Sequence, residues 1–309
     1  MTSKIIKVIV NIIVIVAIGF FLYNVNFKEI LNENIDFNSS FILICLTVLS
    51  TLFLSLVFKI EVSYFSVFLT FKYWFGLTTI NTLYNYVLPM RGGLAVRAFF
   101  LKKKHSFSYI DYSSMLIGST IISFLVASVV ALTSASILHV LGTENRIEFI
   151  FISTFSFLFT LSLIFFSNKI TWLNKIIKWQ KVLNVLSGIQ DGFKRYYTNP
   201  KLLVKLIIVH FIYILLMSLR LYFVFQIFNV EIDFLTVLLI RSLVIFSMII
   251  SITPGNFGIS EGIIGLLAFK TGINLDIAFL IATLDRIFSI IVNVIIGLFF
   301  HFFLIRELK

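Results

Sequence analysis

Charge is scarce in this chain: Asp, Glu, Lys and Arg together make up 13% of it. A soluble domain carries about twice that share, so a solvated globular surface is excluded. Cysteine is nearly absent. The lone Cys45 lies in an apolar run, which rules out a disulfide framework and any metal site built on cysteine. The four histidines, His105, His139, His210 and His301, are scattered without the short spacings of a ligand set. No P-loop, Rossmann glycine fingerprint, H-E-x-x-H pair or serine–histidine–acid cluster occurs. The expectation is a chain with no catalytic residue, no metal and no cofactor, and one that does not drive transport by hydrolysis on its own. Proline is rare too, at three residues, and two of them fall where a membrane helix ought to run unbroken.

What is present is apolar. Hydrophobic residues reach 60% and mean hydropathy is +1.06. Many stretches hold 18 or more apolar residues, enough to cross about 30 Å of hydrocarbon. The runs are continuous rather than alternating, so an all-α polytopic membrane protein is expected, not a β-barrel. The net charge of +11 gathers at Lys102 to Lys104 and between Lys169 and Lys205. Such clusters mark loops on the cytoplasmic side and contact anionic headgroups, so no nucleic-acid partner is expected. Lys4 and Lys7 stand at the start of an apolar run from Ile5 to Leu22 that is long for a signal peptide, and a retained first helix is expected.

Spans are expected near 5–23, 40–58, 62–80, 82–101, 112–140, 149–167, 204–228, 234–252, 254–270 and 275–304. The fold class expected is about eight full transmembrane helices plus two broken or re-entrant segments, near 82–101 and 254–270. With both termini cytoplasmic, every basic cluster falls inside and Glu29, Glu33, Glu144, Glu231 and Asp233 fall outside. Lys270 is the exception, and Arg241 reads as an outer-interface residue. The chain is expected to be a single integral domain over 1–309 in the cell (inner) membrane. An N-terminal helical hairpin covers 1–60, a first half 62–140, an amphipathic cytoplasmic connector 168–205 and a second half 206–304.

The connector carries Trp172, Ile176, Trp179, Leu183 and Leu186 at helical spacing, opposite Lys175, Lys178 and Lys181, as an interfacial helix does. Pro89 and Pro254 lie 165 residues apart, as do Gly93 with Gly258 and Asp111 with Asp276. The helices before the two breaks start on opposite sides. An inverted repeat is therefore expected, with a midplane site at the breaks.

The breaks carry charge. Pro89, Gly92 and Gly93 interrupt the first, which bears Arg91 and Arg97. Pro254, Gly255 and Gly258 interrupt the second, which bears Glu261. Intramembrane charge costs several kcal/mol unless it is paired or wet, so each of these is a functional candidate. Guanidinium can grip phosphate in two-pronged fashion. Glu261 and Arg286 lie at similar depth and can pair. Asn85, one helical turn before Pro89, can cap the break or bond a headgroup. These five residues, Arg91, Arg97, Glu261, Arg286 and Asn85, form the candidate substrate site.

The stretch from Asn85 to Arg97 (NYVLPMRGGLAVR) and that from Pro254 to Glu261 (PGNFGISE), with Arg286 downstream, resemble the transmembrane region of lysylphosphatidylglycerol synthases and related flippase-like proteins. The resemblance spans nearly the whole chain. Two positions depart from it: Leu94 stands where the first motif has an acid, and Gly118-Ser119 where a Glu-Arg pair often follows. The aminoacyltransferase domain of full-length synthases has no counterpart here. The resemblance thus implies translocation or handling of an anionic phospholipid or a polyprenyl-phosphate-linked lipid, not lysyl transfer. A non-transporting membrane partner of a separately encoded synthase or glycosyltransferase is the alternative, and a membrane-embedded transferase a weaker one.

Overall fold

A computed structural model describes residues 37–142, 147–167 and 198–307, together with positions 187, 188, 190 and 194. The expected first helix and most of the amphipathic connector lie outside the described residues. Within them the fold is helical throughout, with no strand. Helix α1 spans Phe37–Tyr64, α2 Phe71–Val87, α3 Gly93–His105, α4 Tyr109–Val140 and α5 Ile147–Ser167. Helix α6 spans Pro200–Ile227, α7 Phe234–Val244 continued by a 3-10 turn over Ile245–Ile250, α8 Ile259–Lys270 and α9 Leu275–Arg306. Among the described residues, α1, α4, α5, α6 and α9 are long and apolar enough to cross a membrane. At 32 residues, α4 and α9 extend to about 48 Å.

Local chemistry sets the helix ends. Ser108 caps α4 by accepting from the Asp111 N–H at 2.9 Å, while its hydroxyl donates to the Asp111 carboxylate. Asn199 caps α6 in the same way, with Pro200 in the first turn, where the missing N–H costs nothing. Pro89 stops α2: Leu88 ahead of it is extended, as the proline ring requires.

The short helices pair into two hairpins. Lys72 at the start of α2 and Lys104 at the end of α3 both bind Glu307, just beyond α9, so both arms of α2–α3 open on one end of the bundle. At the other end Asp233, which begins α7, and Thr271, which ends α8, border one surface pocket with Gln226 of α6. Helix α9 runs between these ends, so the two hairpins enter from opposite sides. The helices expected at 62–80 and 234–252 are hairpin arms rather than separate crossings. Each hairpin returns to the end of the bundle from which it starts, which leaves the relative sidedness of every other helix unchanged. Lys270, the apparent exception to the charge bias, pairs with Glu148.

Element lengths repeat. Helices α1 and α6 each have 28 residues, and α4 and α9 each have 32. Packing repeats as well: α1 lies along α6, α2 packs on α9, and α7, the counterpart of α2, packs on α4. The expected boundary at 60–62 falls inside α1. Gly76 and Gly297 let α2 and α9 approach closely, with Phe300 and Leu83 filling the space that their missing side chains leave.

The Glu307 cluster gives a first prediction. Hydrogen bonds from Lys104, then Lys72 and Tyr73, hold its carboxyl down from the ordinary 4.5 to about 2. A depressed carboxyl contributes stability above its unfolded value and loses it as pH falls from about 4.5 toward 2. The group is partly exposed at the end of the bundle, and solvent screening holds its ion pairs to no more than about 1 kcal/mol. Glu307→Gln should lower the melting temperature slightly at pH 7, and the difference should shrink in melts taken from pH 4.5 toward about pH 2 and vanish below that.

Candidate functional site

The two hairpin tips, α1, α4, α6 and α9 enclose a cavity of about 350 Å³. Five arginines line it: Arg91, Arg97, Arg220, Arg241 and Arg286. Three acids face them: Glu61, Glu261 and Asp285. Fully ionised, these side chains leave an excess of two positive charges around the cavity.

In the second half both acids hold an arginine. Asp285 accepts from Arg220 through both oxygens, at 2.7 Å from Nε and 2.9 Å from Nη2. Arg241 approaches the same carboxylate at 3.6 Å. Arg220 is 1% exposed and Asp285 3%, so this is a buried triad joining α6, α7 and α9. Burying two cations around one carboxylate demands such two-pronged geometry, because desolvation outweighs a loose pair. Arg241 is therefore part of the cavity wall. The expectation of an outer-interface residue fails because α7 is an arm that dips inward.

Arg286 leaves α9 on another face. Its Nε lies 3.3 Å from Glu261 Oε1, an ion pair without hydrogen-bond alignment. Its guanidinium sits over the rings of Tyr86 and Phe257, at 5.5 and 5.0 Å. The other carboxylate oxygen of Glu261 accepts from the Gly258 N–H at 2.8 Å, so Glu261 also caps α8. Gly255 has φ +59, and a Cβ there would fall 2.7 Å from Tyr86 and 3.2 Å from Arg286 Nη2. The second break is thus shaped around Arg286.

In the first half the arginines and the acid are not joined in ion pairs. Arg97 is 7% exposed; its Nε donates to Tyr112 Oη at 2.8 Å, and its guanidinium lies 4.3 Å from the Phe58 ring centre. Arg91 sits on the hairpin tip with φ +55. Among the described residues neither has a carboxylate within salt-bridge distance. The left-handed turn at this break is carried by Met90 and Arg91, not by Gly92 or Gly93. Gly92 is helical, and Gly93 is needed for close approach instead. Asn85 Oδ1 accepts from the Gly93 N–H at 2.9 Å, capping α3 from the neighbouring helix, while the residue still borders the cavity. Leu94 lines the cavity without supplying charge.

Glu61, Arg220 and His210 were absent from the expected site. Arg220 carries the plainest signal, a cation in the middle of an apolar span. Glu61 was hidden because the span was ended at residue 58, whereas α1 continues through Tyr64. His210 is 4% exposed and its Nε2 has no partner. No group of His, Cys, Asp or Glu among the described residues is arranged to hold a metal ion.

Compared with known proteins, the chain matches the family model of the lysylphosphatidylglycerol synthase TM (transmembrane) region over residues 6–297. No curated protein and no solved structure gives a significant match.

Proposed function

Because this chain belongs to the lysylphosphatidylglycerol synthase transmembrane-region family, we propose that it carries an anionic lipid headgroup, of a phospholipid or a polyprenyl phosphate, across the membrane through its central cavity. One observation carries this reading. Five arginines, three of them buried, face three acids in one cavity, and the two on the first hairpin, Arg91 and Arg97, are left without a carboxylate within salt-bridge distance. A phosphate brings the missing charge, and guanidinium donors match its oxygens. The hairpin tips offer apolar surface for acyl or prenyl tails: Val87 and Met90 on one, Ile249, Ile250 and Ile252 on the other, are all more than half exposed.

Two hairpins entering from opposite ends support a transport cycle in which related halves, α1 to α4 and α6 to α9, rock about a central site. The protein would sit in the cell membrane with the Lys72, Lys104 and Glu307 end cytoplasmic, and membrane lipids would be its partners. A separately encoded synthase or glycosyltransferase would make or use the cargo.

The test is headgroup translocation in proteoliposomes, with labelled phosphatidylglycerol in one set and labelled polyprenyl phosphate in another. A hydrogen bond to a charged group is worth about 1.5–3 kcal/mol, so Arg97→Ala and Arg91→Ala should each slow translocation by about tenfold or more. Arg97→Lys should retain an intermediate rate, since it keeps the charge but not the fork. Wild-type rates equal to empty liposomes, or unchanged rates in both alanine variants, would overturn the reading.

A further inference from the structure

Glu61 is the one cavity carboxylate that no arginine claims. It is 3% exposed on α1, its Oε1 has no hydrogen-bond partner, and it borders the cavity beside Arg97. Arg97 is close enough to act on it electrostatically, yet no nitrogen–oxygen contact within 4 Å joins them, and Arg97 donates to Tyr112 instead. Asp285 and Glu261, by contrast, each hold an arginine. A buried carboxylate with an idle oxygen, set beside an unclaimed guanidinium, has two ways to be satisfied. It can stay ionised and balance Arg97 across the gap, or it can take a proton and leave Arg97 to another anion.

Resting on the anionic-headgroup reading above, we infer that Glu61 is a proton-binding site linked to occupancy of the cavity: the headgroup phosphate and the ionised Glu61 compete for Arg97, so anion binding takes up one proton at Glu61.

The surroundings define the partners of this exchange. From α3 and the first break, Arg97 and Arg91 face the space. From α4 come Tyr112, on Arg97, and Ser119, a hydrogen-bond neighbour of Glu61. Helix α6 presents His210, Tyr213 and Arg220, the last committed to Asp285 of α9. Helix α2 presents Asn81, whose Oδ1 is also unpartnered, and no charge. Among the described residues Arg97 and Arg91 are thus the cavity cations without a paired carboxylate, and of the two it is Arg97 that acts on Glu61.

The sign of the linkage is fixed. A ligand that binds only when Glu61 is protonated loses affinity as pH rises above the range where Glu61 ionises. The loss approaches tenfold per pH unit for one linked proton.

The probe is short-chain phosphatidylglycerol, a phosphodiester whose own charge does not change between pH 5 and 9, bound to the full chain in detergent. Affinity should fall with pH in wild type. Glu61→Gln should bind with the low-pH affinity throughout and show a flat profile. Glu307→Gln, remote from the cavity, should keep the wild-type slope. Proton uptake on binding, read in weakly buffered wild-type solution, needs no variant and should approach one proton per ligand.

Binding that depends on Arg97 but keeps its pH slope in Glu61→Gln, or that takes up no proton at any pH, overturns the role of Glu61 and leaves the headgroup reading standing. Failure of wild type to bind at every pH removes both.

Discussion

Asp285→Ala should be the most damaging single substitution in this protein. It leaves Arg220, which is 1% exposed, and Arg241, at 7%, facing each other without a counter-ion. Removing one partner of a buried ion pair costs about 3–5 kcal/mol, and here the loss strands two cations instead of one. The triad also ties three helices together. Arg220 Nη1 reaches Thr47 of α1 at 3.4 Å, so the same guanidinium extends the connection to a fourth.

Arg220→Met should cost clearly less, because Asp285 keeps Arg241 and the methionine chain refills the space. Asp285→Asn should fall between, since it retains an acceptor without the charge. The double variant Arg220→Met with Asp285→Leu should recover part of the loss of Asp285→Ala, as removal of a whole pair often does. Thermal unfolding of the purified variants in micelles orders the series. Equal melting temperatures for Asp285→Ala and Arg220→Met would show that the triad is not the structural anchor argued here.

That triad also shows where sequence reading reached and where it stopped. Apolar run length located five long helices, because crossing a membrane demands a continuous stretch that nothing else in a chain imitates. The proline breaks were located for a similar reason: an interrupted apolar run has few explanations. Depth was another matter. Whether α2 and α3 cross or turn back depends on Gly93 lying against Asn81 and on Lys72 meeting Glu307, contacts between residues far apart in the chain. The pairing of Arg220 with Asp285, and the place of Arg241 beside them, are likewise set by tertiary packing. Glu61 was missed because a charge near a span's end looks like a loop residue until the helix is seen to continue. Arg91, Arg97 and Glu261 were found because each is a charge at an interruption, and Arg286 because it is a charge in an apolar helix at the depth of Glu261. The structure brings all four to one cavity, but only two of them pair with each other.

Gly93→Ala should be the second large effect, and it tests the first hairpin directly. A Cβ on Gly93 would lie 2.0 Å from the Asn81 carbonyl oxygen and 2.8 Å from Asn85 Oδ1. The first of these is backbone, so no rotamer change relieves it. The start of α3 has to move away from α2 by more than an ångström. That shift breaks the 2.9 Å bond from the Gly93 N–H to Asn85, the only side-chain cap that α3 has.

Overpacking costs about 1–3 kcal/mol and a lost cap about 1 more, so a destabilisation of roughly 2–4 kcal/mol is expected. The functional consequence should be larger than the loss of fold alone. Arg97 lies one helical turn beyond Gly93 on the same face, and displacing α3 pulls its Nε off Tyr112 and its guanidinium off Phe58.

Gly262→Ala in α8 is the matching control. Nothing lies within 4 Å of its Cβ position, and alanine favours a helix over glycine by about 1 kcal/mol. It should melt at or above wild type while Gly93→Ala melts well below. Headgroup translocation measured on the fraction of Gly93→Ala that remains folded should still be depressed. A Gly93→Ala protein as stable and as active as wild type would mean that α2 and α3 do not form a close hairpin, and that Arg97 is not held in place by the turn that precedes it.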